Sequence, residues 1–322
     1  MPADPLSHRT VAAQMEELMA GHRRDLDSRL AERGFTRVEP LGRGLEFSVF
    51  RAEPGDGGDP VAIRVAERRF DSTVNDPRVD TRALLRQEYR LTRLLRDHGL
   101  PVAEPVTLIL GETSDEPDIL VSRYVEDDGS ELDSFLLGAL LARLHALPLP
   151  ELLPGLRLVA AERSTAPRLL VGRILRRWNE IGRLTDDWPP APSADRLLPI
   201  AAPLSHGCLL HLDVRRANVR CHKGEVRALL DWSNAVQAHP ALEFGRLGEF
   251  AGLPENQLDL VALRTGYELH AEPPSETGPL ELLCRLDAAV MLALVFLAES
   301  PDPVRANAAV ERVLELCERL ER

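Results

Sequence analysis

At 322 residues, with 44% hydrophobic and 28% charged content, the chain has an ordinary globular composition and is long enough for one large domain or two lobes around a cleft. A formal net charge of −12 argues against a nucleic acid partner, because a phosphate backbone is held by a basic surface, and is compatible with a cationic substrate. No run approaches the ~18 to 20 apolar residues of a membrane span, and Met1 to His22 lacks a basic stretch followed by an apolar one, so a cytoplasmic location without a membrane partner is expected.

In chain order, Val11, Met15, Leu18, Met19, Leu26 and Leu30 form a helical stripe that predicts a helix from about Thr10 to Arg33, stopped by Gly34. Val38 to Leu41 and Ser48 to Ala52 read as strands around a glycine turn, and Val61 to Val65 as a third strand of an antiparallel meander. Leu84, Leu85, Tyr89, Leu91, Leu94 and Leu95 give Thr81 to His98 one apolar helical face, with Gly99 as its stop. Strands follow at Pro105 to Leu110 and Ile119 to Val125, and the run Glu126-Asp127-Asp128-Gly129-Ser130 reads as a hinge.

Beyond it, Leu132 to Leu147, Arg168 to Ile181, Leu258 to His270, Leu280 to Glu299 and Val304 to Leu320 carry helical periodicity. Leu209 to Arg220 and Val226 to Asp231 read as short strands and turns, and the proline-rich Trp188 to Pro203 as a surface connection. The expected layout is a two-lobed α+β fold with its cleft between the lobes. Its parts are an N-terminal helical extension (1–34), a nucleotide-binding N-lobe of antiparallel sheet plus one helix (35–126), and a mainly helical C-lobe (127–322).

The four cysteines, Cys208, Cys221, Cys284 and Cys317, form no CxxC pair and fit reduced thiols. Cys208, His211, Cys221 and His222 can be written as a zinc set, but strand-like segments carry them and His211 has a better-supported role. Lys223 is the only lysine, so the choice of arginine at any one site carries little weight.

Phosphoryl transfer needs positioned phosphates, a divalent metal and a group that takes the acceptor's proton, and this chain offers each in order. Leu41-Gly42-Arg43-Gly44-Leu45-Glu46-Phe47-Ser48-Val49-Phe50-Arg51-Ala52 reads as a phosphate-covering loop, with Gly42 and Gly44 letting backbone N–H groups approach oxygen. A plain hairpin turn is the competing reading, and Phe47 stands where a third glycine is missing. Twenty residues past Gly44, Arg64 ends the run Val61-Ala62-Ile63 as a fixed cation for the phosphates, and Glu88 in the next helix is placed to hold it. Ser48 of the loop, with Tyr124 and Val125 beside the hinge, completes the nucleotide-binding set.

The segment Leu209 to Val219, followed by Val226 to Trp232, delivers Asp213, Asn218 and Asp231 at spacings of five and thirteen. Asp213 is the candidate base, while Asn218 and Asp231 supply hard oxygen ligands for Mg2+. Arg215 is placed to steady the transferred group, and His211 to support the loop.

His211-x-Asp213-x-x-x-x-Asn218 with a following hydrophobic strand and Asp231-Trp232 resembles the aminoglycoside phosphotransferase and choline kinase group, relatives of the protein kinases. Leu137 to Leu147, a helix ending in Leu144-His145, and Ala235 to Leu247 also resemble that group, over a span from about Val38 to Leu247. The resemblance implies a protein kinase-like fold, ATP or GTP as donor, and Glu243 as a brace for the catalytic loop.

Three departures stand out. Leu212-Asp213 replaces Gly-Asp, Ala238-His239-Pro240 replaces Gly-Asp-Pro, and Arg64 replaces lysine. The expected acceptor is a hydroxyl of a small molecule such as an antibiotic, an amino alcohol or a sugar. A Ser/Thr kinase acting on a precursor peptide is the alternative, with a silent pseudokinase binding module as a third reading. Selectivity is expected in Pro150 to Ala202 and Glu255 to Glu299, where Asp186, Asp187, Glu255, Asp259 and Glu268 are either ligands for a cation or a solvated face.

Overall fold

Alternation of apolar residues builds the first sheet. The computed structural model describes residue 28 and residues 30–66, 68–113, 116–148, 166–205 and 207–322, so nearly all of the expected N-terminal helix lies outside the described residues. Strands β1 (Phe35–Arg43), β2 (Phe47–Pro54) and β3 (Val61–Ala66) form the predicted meander. After β3 come a short pair that sequence did not suggest, β4 (Phe70–Asp71) and β5 (Val79–Asp80), helix α1 (Thr81–Asp97), and strands β6 (Pro105–Ile109) and β7 (Ile119–Arg123). The five-stranded sheet has the order β1-β2-β3-β7-β6, with every neighbour antiparallel.

The period of two along β3 points Val61, Ile63 and Val65 to one face, where they pack with Phe50, Ile119, Val121 and the fully buried Leu30. The other face of the sheet packs Phe47 and Leu120 against Leu84 and Leu85 of α1. Arg64, between Ile63 and Val65, therefore emerges on the α1 side. Helix α1 starts where Asp80 caps it, its carboxylate accepting from the Ala83 N–H at 3.0 Å.

The acidic run after β7 is pinned down rather than slack. Asp127 accepts a bidentate pair from Arg216 at 2.8 and 2.9 Å, and Asp128 accepts from the Lys223 N–H at 2.8 Å. The chain then enters α2 (Ser134–His145), α3 (Ala166–Leu184) and α4 (Ala194–Ala201). Helix α4 corrects the reading of Trp188 to Pro203 as a surface connection. Leu197, Ala201 and Leu204 are buried there, and Trp188 packs on Trp178 at 4.8 Å between ring centroids. The prolines hid the helix, although Pro199 sits within it.

Short strands β8 (Cys208–Leu210), β9 (Val219–His222), β10 (Glu225–Leu229) and β11 (Val236–Ala238) follow, paired β8 with β11 and β9 with β10. Four more helices close the fold, α5 (Ala241–Phe250), α6 (Leu260–Glu268), α7 (Pro279–Leu294) and α8 (Pro303–Glu321). The last turn of the predicted Leu280 to Glu299 helix is a π-turn, Val295–Glu299. No helix among the described residues is long and apolar enough to cross a membrane.

One close approach fixes the position of α2. A Cβ on Gly138 would overlap the Leu263 carbonyl of α6, and one on Gly266 would overlap the Phe135 carbonyl of α2. Alanine improves helix propensity by about 1 kcal/mol over glycine, but overpacking typically costs about 1 to 3 kcal/mol or more. Sterics win here because backbone atoms are the obstacle. Gly138→Ala is expected to lower the urea midpoint, with an unchanged midpoint showing that the two helices separate freely.

Candidate active site

Between β8 and β9 the backbone makes a turn whose geometry follows from buried hydrogen bonds. Leu212 holds a left-handed conformation, φ 59°, which a branched side chain adopts only at a cost of about 1 kcal/mol or more. Both of its backbone groups are held. Its N–H donates to Glu243 Oε1 at 2.8 Å, and its carbonyl accepts from Arg246 Nη1 at 2.7 Å. Glu243 Oε2 also accepts the His211 N–H at 2.7 Å, so one fully buried carboxylate from α5 fastens two successive amides. Glycine adopts such a φ without strain, whereas this chain places Leu212 there.

Burial raises the pKa of Glu243, but His145 and the donated hydrogen bonds outweigh it and hold the carboxyl below its usual value. Glu243→Ala would strand both amides at about 1 to 3 kcal/mol each. We expect a loss of roughly 2 to 5 kcal/mol in urea unfolding for this variant; an effect confined to activity would show that the turn holds itself.

His211 is fully buried and touches only backbone through its ring nitrogens. Nε2 lies 2.9 Å from the Leu230 carbonyl and Nδ1 accepts the Asp213 N–H at 3.2 Å, a pair of roles that places the imidazole proton on Nε2. Its ring rests on Trp232 at 4.4 Å.

Asp213 follows, with its Oδ2 accepting from Asn218 Nδ2 at 2.7 Å and its Oδ1 3.1 Å from Arg215 Nε. Burial raises the Asp213 pKa, Arg215 opposes the rise and the Asp231 charge adds to it, for a net increase. Because the Asn218 nitrogen also donates to the Asp213 carbonyl at 2.9 Å, its Oδ1 is the atom left to serve as a ligand.

A second hydrogen-bonded set, around Arg64, is assembled across the two halves of the chain. Arg64 Nη1 donates to Glu88 Oε2 at 2.6 Å, while Nη2 donates to Asp231 Oδ1 at 2.9 Å and to Ser233 Oγ at 3.0 Å. The guanidinium lies over the Phe47 ring at 4.1 Å. Phe47 and Arg64 thus make a stacked pair that a glycine and a lysine would not provide. Burial works against the Asp231 carboxylate, but Arg64 and Ser233 outweigh it and bring the pKa to about 2. Asp231 itself sits at φ 62°.

The glycine loop reads in the structure as the β1–β2 hairpin, where the Gly44 N–H donates to the Phe47 carbonyl at 2.8 Å and Gly42 pairs with Val49. Ser48 lies on β2 opposite Val65. The Tyr124 N–H donates to the Pro60 carbonyl at 3.0 Å, and half-buried Val125 follows it out of β7.

Sequence reasoning missed several participants. Glu46, at the tip of the hairpin, feels both Asp231 and Arg64, and burial followed by the Asp231 charge raises its pKa. Gln87 donates from Nε2 to the Trp232 carbonyl at 2.8 Å, tying α1 to the turn after Asp231. Its place beside Glu88 and the place of Ser233 beside Asp231 were the only sequence signals. The acidic residues suggested for a cationic ligand include two with structural partners: Glu255 pairs with Arg305 at 2.5 Å, and Asp259 caps α6.

Among the described residues no group of three or more His, Cys, Asp or Glu side chains is arranged to hold a metal. The donor set of Asn218 and an ionised Asp231 is the hard-oxygen chemistry that suits magnesium.

Solved structures share this architecture. A thermostable mutant of the aminoglycoside phosphotransferase APH(4)-Ia, in ternary complex with AMP-PNP and hygromycin B, is similar with TM-score 0.61 and 18% identity, covering 90% of this chain and 97% of that one. The macrolide 2'-phosphotransferase MphH from Brachybacterium faecium is similar with TM-score 0.55 and 19% identity over 90% and 97%. A microcompartment-associated aminopropanol kinase gives 0.53 and 16% over 89% and 92%. At such identities the likeness shows the two-lobed kinase-like fold. No curated protein matches the chain in sequence. The model of the phosphotransferase enzyme family matches residues 37–279, most of the chain, and the protein therefore belongs to that family of kinases.

Proposed function

We propose that the protein moves the γ-phosphoryl group of ATP to a hydroxyl of a small molecule, with Asp213 as the base. The observation that carries this reading is the nearness of two hydrogen-bonded sets, Glu88–Arg64–Asp231 and Arg215–Asp213–Asn218, with the Asp231 charge acting on Asp213. Asp213 accepts the hydroxyl proton as the acceptor oxygen bonds to the γ-phosphorus and the bond to the ADP oxygen breaks. Its raised proton affinity favours that role over the more acidic Asp231. Arg64, fixed by Glu88, orients the phosphates, and Arg215 neutralises charge on the group in flight.

Asn218 and Asp231 would hold magnesium, which would supply positive charge to offset that of the phosphates. The β1–β2 hairpin with Gly42, Gly44 and Ser48 covers the nucleotide, and Tyr124 and Val125 border it. The ATP-analogue complex of one structural relative supports this donor, and GTP is the second to test.

A small acceptor is favoured over a peptide because only a three-residue turn, Trp232–Asn234, and β11 lie between Asp231 and α5, leaving no platform for an extended chain. The test is ADP release by the purified chain with magnesium and ATP against panels of aminoglycosides, amino alcohols, sugars and acidic polyols. Acceptor-dependent release supports the reading. Absence of magnesium-dependent ATP binding would instead leave a silent binding module.

A further inference from the structure

One side of the catalytic turn is held by a group of arginines gathered around a single fully buried carboxylate. Asp287, on α7 and fully buried, accepts from Arg173 at both oxygens, with Nε at 2.7 Å from Oδ1. The same carboxylate is 3.4 Å from Arg246 Nη2 and 3.6 Å from Arg177 Nη1. Three guanidinium groups thus share one buried carboxylate.

Asp76, half-exposed, is 3.5 Å from Arg177 Nη2 and 3.5 Å from Arg176 Nη2, and Asp213 and Glu243 act on Arg246 through space. Glu299 stands nearby, where its oxygens accept from the Asn75 N–H and Nδ2 at 3.0 Å each.

Two atoms show what is missing. Arg177 Nη1 and Arg246 Nε are buried without a hydrogen-bond partner, and the Arg177 side chain is only 3% exposed. Every polar contact of Arg177 is long: 3.4 Å to the Asn75 carbonyl, 3.5 Å to Asp76 and 3.6 Å to Asp287. A purely structural brace would pair both atoms, because a buried donor without an acceptor is destabilising. A further anion beside Arg177 would supply the missing acceptors. Burial, and then the neighbouring Arg173, lower the Arg177 pKa to about 9, against the opposing pull of Asp287 and Asp76.

The cluster is joined to the chemistry. Arg246 Nη1 donates to the Leu212 carbonyl at 2.7 Å, one residue before Asp213, and Arg246 and Asp213 lower and raise each other's pKa through space. The cluster meets solvent at Arg173, with 16% of its side chain exposed, and at Arg176, with 31%.

We propose that Arg173, Arg177 and Arg246 form an anion subsite for the acceptor, so that the hydroxyl presented to Asp213 belongs to a small molecule bearing a carboxylate or a phosphate. The proposal rests on the reading of Asp213 as the proton acceptor. Bidentate guanidinium recognition suits both anions, and the net acidity of the chain does not oppose it because the charge is local.

The test measures binding and turnover separately on the full chain. Calorimetric titration without nucleotide uses inorganic phosphate as the phosphoryl probe, D-glycerate as the hydroxy-acid probe and glycerol as the neutral control. At least one anion is expected to bind, and its affinity to fall by about tenfold or more in Arg173→Gln, the value of one charge-assisted hydrogen bond. Arg173→Lys should fall between. Arg173 is chosen because it is partly exposed, and matching circular dichroism with the wild type confirms the fold; the same titration on wild type alone keeps the test decisive if both variants misfold.

Failure of both anions to bind, or equal binding by a folded Arg173→Gln, overturns the subsite. ADP release confined to neutral or cationic acceptors also overturns it and leaves the phosphotransfer reading standing. Anion binding with the Arg173→Gln loss, but no ADP release with any acceptor, supports the subsite and removes the phosphotransfer reading instead. With an acidic acceptor turned over, Arg173→Gln should raise KM and spare kcat.

Discussion

Asp213→Asn is expected to lower turnover by roughly 10² to 10⁴-fold, the usual worth of a general base, while nucleotide affinity stays at the wild-type level. The separation follows from geometry, since Asp213 contacts Asn218 and Arg215 whereas Arg64, bonded to Glu88 and Ser233, belongs to the set proposed to bind the nucleotide. The substitution keeps the shape and removes the proton acceptor. It also turns one oxygen into a donor, so that an amide NH2 meets either Asn218 Nδ2 or Arg215 Nε, both donors themselves. That mismatch costs about 1 to 3 kcal/mol, less than typical total stability of about 5 to 15 kcal/mol, so the variant should fold. Single-turnover rates and nucleotide titration check the two halves. A wild-type rate in Asp213→Asn would reassign the base.

Arg64→Met is expected to do the greatest damage of any single change at the nucleotide side. The residue links Glu88 to Asp231, bonds Ser233 and stacks on Phe47, with 13% of its side chain exposed. Removing it leaves two carboxylates facing each other without a cation. Breaking a buried pair from one side costs about 3 to 5 kcal/mol, and we expect a loss toward that range in urea unfolding, together with loss of measurable nucleotide binding.

Arg64→Lys keeps the charge but not the fork, so it should serve one of the two carboxylates and fall between. Combining Arg64→Met with Glu88→Leu should recover stability without recovering nucleotide binding, since replacing both partners by apolar groups is far less costly than removing one. Equal stability of Arg64→Met and wild type would mean that water replaces the guanidinium at no cost.

Much of this architecture could be read before any coordinates. The alternation in Val61 to Val65 sends Arg64 to the face opposite Ile63, and the stripe in Thr81 to His98 matches α1 to within a residue. Spacing of five and thirteen placed Asp213, Asn218 and Asp231 within one compact turn-and-hairpin unit, because β9 and β10 fold back on each other. The expected absence of glycine at Phe47 and Leu212 was visible too, but its meaning was not. One side chain supports Arg64, and the other backbone is strained and fastened by Glu243 and Arg246.

Helix α4 and the β4–β5 pair were missed for a different reason. Prolines and short apolar runs give no periodic signal, and the burial of Leu197 and Leu204 depends on α3 and α7 arriving from elsewhere.

The sequence by itself determined the local elements, the order of the chemistry-bearing residues and the kind of reaction they can serve. Those follow from backbone periodicity and from side-chain chemistry, which act over a few residues. Only the tertiary structure decided that Arg64 meets Asp231 across 167 positions, that Arg246 reaches the Leu212 carbonyl, and that Arg173, Arg177 and Arg246 crowd onto Asp287 beside the proposed base. Such contacts depend on how helices from distant parts of the chain pack, and a buried donor without a partner exists only once that packing has excluded water.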